Sequence, residues 1–158
     1  MRVAIITISD SVSQGKSADR SGPAVVERCQ ALGWEIASTQ VLPDDRITIE
    51  KLLISLADSG TNNLILTTGG TGIGPRDITP EATVAVSSKL LPGFGELMRA
   101  KGRESTPRAV MSRAVVGVRA EALIVNLPGS PKGAVESLEA VADLLPHACD
   151  VIRGLHHG

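Results

Sequence analysis

Short apolar runs rich in β-branched residues alternate with helix-like segments along this chain. The first run, Arg2–Ile8, is almost continuously apolar, which is typical of a strand buried on both faces. Further strands are predicted at residues 34–42, 63–68, 114–118 and 122–127, and helices at residues 21–32, 47–59, 79–91, 92–101, 131–145 and 148–155. Ser21 is the predicted cap of the first helix, after a polar loop at residues 9–20. This alternation predicts a three-layer α/β/α fold with a mostly parallel sheet.

The composition limits the classes of function that fit this fold. A length of 158 residues suits one domain, which we place at residues 1–155, with His156, His157 and Gly158 as a C-terminal tail. The 1% aromatic content argues against base stacking on single-stranded nucleic acid, and a net charge of −1 gives no basic footprint for nucleic acid or a membrane surface. No apolar run approaches the length of a membrane span, so we expect a cytoplasmic protein. Cys29 and Cys149 are predicted to be buried free thiols.

Four loops that follow predicted strands hold most of the candidate functional residues. They comprise residues 9–20, 43–46, 69–78 and 128–133. If their strands are parallel, the four loops meet at one rim of the sheet, where α/β proteins bind their ligands.

The third of these loops begins with the glycine-rich stretch GGTGIG at residues 69–74. Such a stretch can point several backbone N–H groups at an anion, and the helix predicted to start at Thr79 adds its positive end. The stretch matches neither the P-loop nor the dinucleotide-binding spacing. We therefore predict a phosphate-binding loop of another kind, the alternative being a tight structural turn.

Carboxylates stand where a phosphate would repel them. Asp77 follows the glycines by three residues, Asp44 and Asp45 lie in the preceding loop, and Asp10 follows the first strand. A Mg²⁺ ion between carboxylate and phosphate reverses the repulsion, and Mg²⁺ typically uses one or two carboxylates with phosphate oxygens and water. The alternatives are a cap or turn role for Asp77 and a solvated turn for Asp44 and Asp45.

Two cations and a serine complete the candidate set. Arg76 and Lys132 suit phosphate oxygens, with exposed surface charges as the alternative. Ser130 either caps the helix that starts at Pro131 or lines the anion site. The residues alone thus indicate a nucleotide or phosphate-ligand domain with Mg²⁺. A flavodoxin-like domain, with an FMN phosphate in the SDSVSQG loop, is the alternative, although flavin rings usually need aromatic walls.

Several motifs carry a resemblance to a known family. They are ISD at residues 8–10, TTGGTG followed by RDITPEAT, then PGFGE and VNLPGSPK. Together they resemble the MogA/MoaB family of molybdenum cofactor biosynthesis proteins, to which the gephyrin G domain and its plant counterpart are similar. The resemblance implies a molybdopterin-binding-like fold and a homotrimer or hexamer. It also implies molybdopterin adenylyltransferase activity, in which AMP passes from Mg-ATP to the terminal phosphate of molybdopterin and pyrophosphate is released.

The resemblance also implies roles for individual residues. The two key aspartates of the family map onto Asp44 and Asp77, which we expect to be catalytic and to hold Mg²⁺. With the two cations added, the predicted ligand-binding set is Ser9, Asp10, Thr68, Gly69, Gly70, Thr71, Gly72, Arg76, Pro128, Gly129, Ser130 and Lys132.

One departure from the family keeps other functions open. Many relatives have SDR after the first strand, whereas this chain has Ser11 in place of the arginine. If that arginine holds the pterin phosphate, another cation must do so here. A non-catalytic molybdopterin-binding or scaffolding protein of the MoaB type is one alternative, and a role in molybdate insertion is another. Other molybdenum cofactor biosynthesis proteins are expected partners.

Overall fold

A six-stranded sheet forms the middle of the protein in the computed structural model, which describes residues 1–155. Its strands are β1 (Arg2–Ile8), β2 (Glu35–Leu42), β3 (Leu64–Thr68), β4 (Lys89–Leu90), β5 (Val116–Arg119) and β6 (Ala122–Leu127), in the order β2-β1-β3-β6-β5-β4. The pairs β1–β2, β1–β3 and β3–β6 are parallel, and β5 runs antiparallel to both of its neighbours. The predicted mostly parallel sheet is therefore confirmed.

Helices cover both faces of this sheet. They are α1 (Asp10–Ser13), α2 (Ser21–Ala31), α3 (Arg46–Asp58), α4 (Thr79–Val86), α5 (Pro92–Arg103), α6 (Pro131–Val141) and α7 (Leu145–Ile152), with a 3-10 helix at Pro107–Met111. Buried residues of α2, α5, α6 and α7 share one core cluster, and those of α3 and α4 share the other. The structure is thus the predicted three-layer α/β/α arrangement.

The position of β1 in the sheet explains why its sequence is almost continuously apolar. Val3 and Ile5 belong to the core on the α2 side of the sheet, whereas Ala4, Ile6 and Ile8 belong to the core on the α3 side. Successive side chains of a strand point to opposite faces. A central strand between two helix layers therefore needs apolar residues on both of its faces.

Several local predictions were wrong. Residues 9–20 are not all loop, because Ser9 Oγ accepts from the Val12 N–H at 3.2 Å and caps the single turn α1. Ser21 does not cap α2; the Asp19 carboxylate takes that role by accepting from the Gly22 N–H at 3.0 Å. The helix predicted at residues 131–145 ends at Val141, and a new helix starts at Leu145.

The remaining composition-based predictions concern thiols, the membrane and the tail. Cys29 and Cys149 are buried and free, as predicted. The partly buried Trp34 precedes β2, so it packs against the core at the amino ends of the parallel strands. No helix within residues 1–155 is long and apolar enough to cross a membrane. The predicted tail at residues 156–158 lies outside the described residues.

Candidate active site

Four loops meet at the carboxyl ends of β1, β2, β3 and β6, because these strands are mutually parallel. Two hydrogen bonds join the loop after β3 to the loop after β6. The Gly69 N–H donates to the Leu127 carbonyl at 3.1 Å, and the Thr68 hydroxyl donates to the Pro128 carbonyl at 2.6 Å. The predicted convergence of the glycine loop and the LPGSP turn is confirmed.

The first two glycines of the loop leave no room for a side chain. Gly69 has a φ of +104° and Gly70 a φ of +68°, which L residues rarely adopt. A Cβ atom on Gly69 would overlap the Ile8 carbonyl oxygen, and one on Gly70 would overlap the Thr79 hydroxyl. The glycine loop therefore passes directly between the end of β1 and the start of α4.

Thr79 fixes this loop to the first turn of α4. Its side chain is fully buried, its hydroxyl donates to the Gly69 carbonyl at 3.0 Å, and its N–H donates to the Gly70 carbonyl at 3.1 Å. The predicted helix start at Thr79 is confirmed, and the helix is anchored to the loop that precedes it.

Asp10 and Asp44 form a reciprocal pair between the ends of β1 and β2. The Asp10 N–H donates to Asp44 Oδ2 at 2.9 Å, and the Asp44 N–H donates to Asp10 Oδ1 at 3.0 Å. Burial raises the pKa of Asp44, and the charges of Asp10 and Asp77 raise it further. Hydrogen bonds from Arg76 and from the Asp44 backbone lower the pKa of Asp10.

Asp77 closes the glycine loop on itself. Its Oδ2 accepts from the Gly74 N–H at 2.8 Å, while its own N–H donates to the Gly74 carbonyl at 3.0 Å. The turn role considered for Asp77 is thus present in this structure, and the carboxylate also lies close enough to Asp44 to affect the pKa of Asp44. The structure brings Asp10, Asp44 and Asp77 together.

Asp45 differs from the aspartate beside it. It caps α3 by accepting from the Thr48 N–H at 3.0 Å, and the hydrogen bonds from the Thr48 hydroxyl and from this N–H lower its pKa. The predicted acid pair therefore divides: Asp44 faces the other rim carboxylates, whereas Asp45 serves a helix terminus.

The predicted cations have acidic partners in the structure. Arg76 donates to both oxygens of Asp10, at 2.9 and 3.1 Å. The Lys132 side chain is 79% exposed and lies 3.8 Å from Glu136. Ser130 caps α6 by accepting from the Gly133 N–H at 3.1 Å, which was one of its two predicted roles. Phosphate binding by Arg76 and Lys132 stays a prediction.

Arg113 contacts the glycine loop but was not among the site residues predicted from the sequence. Its backbone N–H donates to the Thr71 carbonyl at 2.8 Å, and its Nε donates to the Gly72 carbonyl at 2.7 Å. Its terminal nitrogens bond to the Asp77 carbonyl at 2.8 Å and to Glu81 at 2.6 and 3.2 Å. Its only sequence signal is a lone arginine before a predicted strand, which is too common to indicate a site.

Two cavities adjoin the glycine loop and share Gly70, Asp77 and Gly129 in their walls. The first, of about 390 Å³, extends towards α5, the 3-10 helix and α6, and Thr71, Gly72, Pro128 and Ser130 also line it. The second, of about 380 Å³, extends towards residues 9–21, and Ser9, Asp44, Thr68 and Gly69 also line it. Asp10, Arg76 and Lys132 lie outside both linings.

Fold and site together define an α/β protein with two adjoining cavities at one rim of its sheet. Residues 4–147 match the family model described as a probable molybdopterin binding domain. The chain therefore belongs to the MogA/MoaB family of molybdenum cofactor biosynthesis proteins, as its motifs predicted.

Individual relatives agree with this assignment. The molybdopterin adenylyltransferase of Helicobacter pylori strain J99 is 43% identical over 156 residues, covering 98% of this chain and 89% of the relative. The structure of MoaB from Thermus thermophilus, described as a molybdopterin biosynthesis enzyme, has a TM-score of 0.91 and 48% identity over 97% of this chain and 96% of that one. A MogA structure has a TM-score of 0.90 and 36% identity over 96% and 99% of the two chains.

Proposed function

We propose that this protein is a molybdopterin adenylyltransferase, which transfers AMP from ATP to the terminal phosphate of molybdopterin. Relatives that are 42% and 43% identical over 90% and 98% of the chain bear this name. The observation that carries the proposal is the meeting of two cavities at Gly70, Asp77 and Gly129. A transfer between two substrates needs two adjoining binding sites, and the residues that line both sites then lie beside the reacting groups.

The proposed reaction makes one bond and breaks one. An oxygen of the terminal phosphate of molybdopterin attacks the α-phosphorus of ATP, and the bond from that phosphorus to the pyrophosphate oxygen breaks. A phosphate monoester is ionised at pH 7, so the attack needs no protein base. The protein's task is to hold two anions in line and to stabilise the charge that develops. The backbone N–H groups of residues 70–72 and those of Gly129 and Ser130 are the proposed donors, because the Gly69 N–H already donates to the Leu127 carbonyl.

We propose Asp44 and Asp77 as the residues that would hold Mg²⁺. Burial and then the charges of Asp10 and Asp77 raise the pKa of Asp44, and Arg76, whose positive charge acts in the opposite direction, is already paired with Asp10. Two carboxylates suit Mg²⁺, which takes its other ligands from phosphate and water. Within residues 1–155, no group of three or more His, Cys, Asp or Glu side chains is arranged as a metal site. When bound, the ion would neutralise charge on the phosphates.

Asp10 and Arg76 have a supporting role in this proposal. Asp10 fixes the backbone of Asp44 and receives the Arg76 side chain, so the three residues form one network over the end of β2. A phosphate entering here would compete with Asp10 for the Arg76 guanidinium. Arg76 could therefore contribute the cation that Ser11 does not supply.

The decisive experiment combines the protein with molybdopterin and Mg-ATP and measures pyrophosphate and adenylylated molybdopterin. Asp44→Asn and Asp77→Asn are expected to abolish product formation while nucleotide binding persists. Asp45→Asn is the matched control, because the Asp45 carboxylate caps α3 and has no part in the proposed metal site. Full activity in both of the first two variants would exclude their proposed metal role. Molybdopterin binding without any product from the unaltered protein would favour the scaffolding alternative.

We also propose the finer properties that the family resemblance implies. These are one domain at residues 1–155, a cytoplasmic location, and a homotrimer that works alongside other molybdenum cofactor biosynthesis proteins. Light scattering should give a mass three times that of the 16.4 kDa protomer. Six times that mass would indicate the hexamer instead.

A further inference from the structure

A three-residue segment, Ser112–Arg113–Ala114, lies between the 3-10 helix and β5, and we call it the strap. It borders the first cavity, whose lining includes Ser112 and Ala114. On one side it is held by α5, because Arg99 donates to the Ala114 carbonyl at 2.9 Å and to the Ser112 carbonyl at 3.4 Å. Arg99 thus fixes the backbone on both sides of Arg113.

On its other side the strap holds the glycine loop through Arg113 alone. Thr71 and Gly72 lie at the beginning of the loop segment, and Asp77 lies at its end. Because one residue donates to carbonyls at both ends, it sets the distance across the loop. The Asp77 carboxylate is fixed inside that span by its bond to the Gly74 N–H.

The Arg113 guanidinium has little capacity left for a ligand. A guanidinium has five N–H donors. Here its nitrogens make bonds to Gly72, Asp77 and both oxygens of Glu81. Glu81 lies in the first turn of α4 and balances the charge of Arg113. Arg113 is therefore built to orient the loop rather than to bind a phosphate itself.

We propose that Arg113 is a positioning residue for the adenylyl transfer. It fixes the position of the Asp77 carboxylate relative to the N–H groups of the glycine loop. This inference rests on the proposed function. A continuous series of bonds leads from Arg99, which lines the first cavity, through the strap to Asp77, which lines both cavities.

Two substitutions at Arg113 test this role against a control arginine. Arg113→Lys keeps a charge beside Glu81 but cannot donate to the separate carbonyls, and Arg113→Met removes both functions. Arg119→Met is the control, because Arg119 also combines an ion pair, with Asp58 at 3.0 Å, and a carbonyl bond, to Val86 at 3.0 Å. Neither of those partners lines the two cavities.

The kinetic readout is kcat for adenylylated molybdopterin, measured beside the KM for ATP. Both Arg113 variants are expected to lose about 100-fold in kcat, the scale of an ångström-sized misplacement, with a much smaller change in KM. Arg119→Met is expected to keep its kcat even if its unfolding midpoint falls. A wild-type kcat in Arg113→Lys would overturn the proposal, because charge alone would then suffice.

Hydrogen exchange tests the positioning independently of the reaction. The N–H groups of Gly74 and Asp77 are bonded inside the loop and are expected to exchange faster in both Arg113 variants than in Arg119→Met. If the unaltered protein makes no adenylylated product, the proposed function fails while this comparison still decides the role of Arg113. Equal exchange in all three variants would overturn the positioning role, and Arg113→Lys gives the answer if Arg113→Met does not fold.

Discussion

Replacing Gly69 by alanine should destabilise the protein more than the same change at Gly33. Both glycines have positive φ angles, +104° at Gly69 and +81° at Gly33. They differ in their surroundings, because a Cβ atom on Gly33 would have no atom within 4 Å. At Gly69 it would overlap the Ile8 carbonyl oxygen, which is backbone and cannot move to another rotamer.

The expected magnitudes follow from these two situations. A left-handed backbone conformation costs an L residue about 1–2 kcal/mol, which is the cost expected for Gly33→Ala. Overpacking adds about 1–3 kcal/mol, so Gly69→Ala should be less stable than Gly33→Ala by that amount. The entropy that alanine removes from the unfolded chain is the same in both variants and cancels. Stabilities of about 5–15 kcal/mol leave room for the Gly69 variant to stay folded.

Urea denaturation followed by circular dichroism measures both free energies of unfolding. The slope against urea should be unchanged, since neither substitution alters the surface exposed on unfolding. Gly129→Ala is a third comparison, because its Cβ atom would lie 3.4 Å from the Gly69 Cα, an ordinary contact. The reasoning is refuted if Gly69→Ala costs no more than Gly33→Ala.

Two further predictions concern neighbouring aspartates and the thiols. Burial and neighbouring carboxylates raise the pKa of Asp44, so its charge opposes folding at neutral pH. Asp44→Asn should therefore stabilise the protein at pH 7. This gain should shrink as the pH falls through the raised pKa. The hydrogen bonds from Thr48 lower the pKa of Asp45, so Asp45→Asn should destabilise the protein at pH 7. This loss of stability should vanish as the pH falls through the lowered pKa. Urea titrations from pH 7 to pH 3 in which both variants change the free energy of unfolding in the same direction would contradict these two expectations. Burial raises the pKa of Cys29 to about 12 and that of Cys149 to about 11, so iodoacetamide at pH 8 should label neither in the folded protein and both in urea; rapid labelling of the folded protein would argue against their burial.

The sheet and its main helices could be predicted from the sequence because they repeat a strong local pattern. The bounds of β1 were predicted correctly, since a strand between two helix layers is almost continuously apolar. The two-residue β4 and the 3-10 helix could not be predicted, because elements so short depend on tertiary contacts. Ser21 was assigned as a cap from its residue type, but α2 already begins at Ser21, and the Gly22 N–H donates to Asp19 instead.

The site was predictable where topology alone places residues. Gly69, Gly70, Asp44 and Asp77 follow parallel strands, and such loops necessarily meet at one rim. Arg113 was not predictable, because its bond to Gly72 joins residues 41 positions apart and no local pattern encodes it. The same limit applies to Arg76 and Asp10, 66 positions apart, which pair with each other in the structure.

The position of Trp34 has a consequence for spectroscopy. It is the chain's single tryptophan, and it lies before β2 at the amino ends of the parallel strands, the opposite rim from the two cavities. No aromatic side chain among the described residues lines either of those cavities. Indole emission should therefore report global unfolding and should not change when a ligand binds in either cavity. The intrinsic emission of a bound pterin would be measured without a nearby indole that could quench it or exchange energy with it.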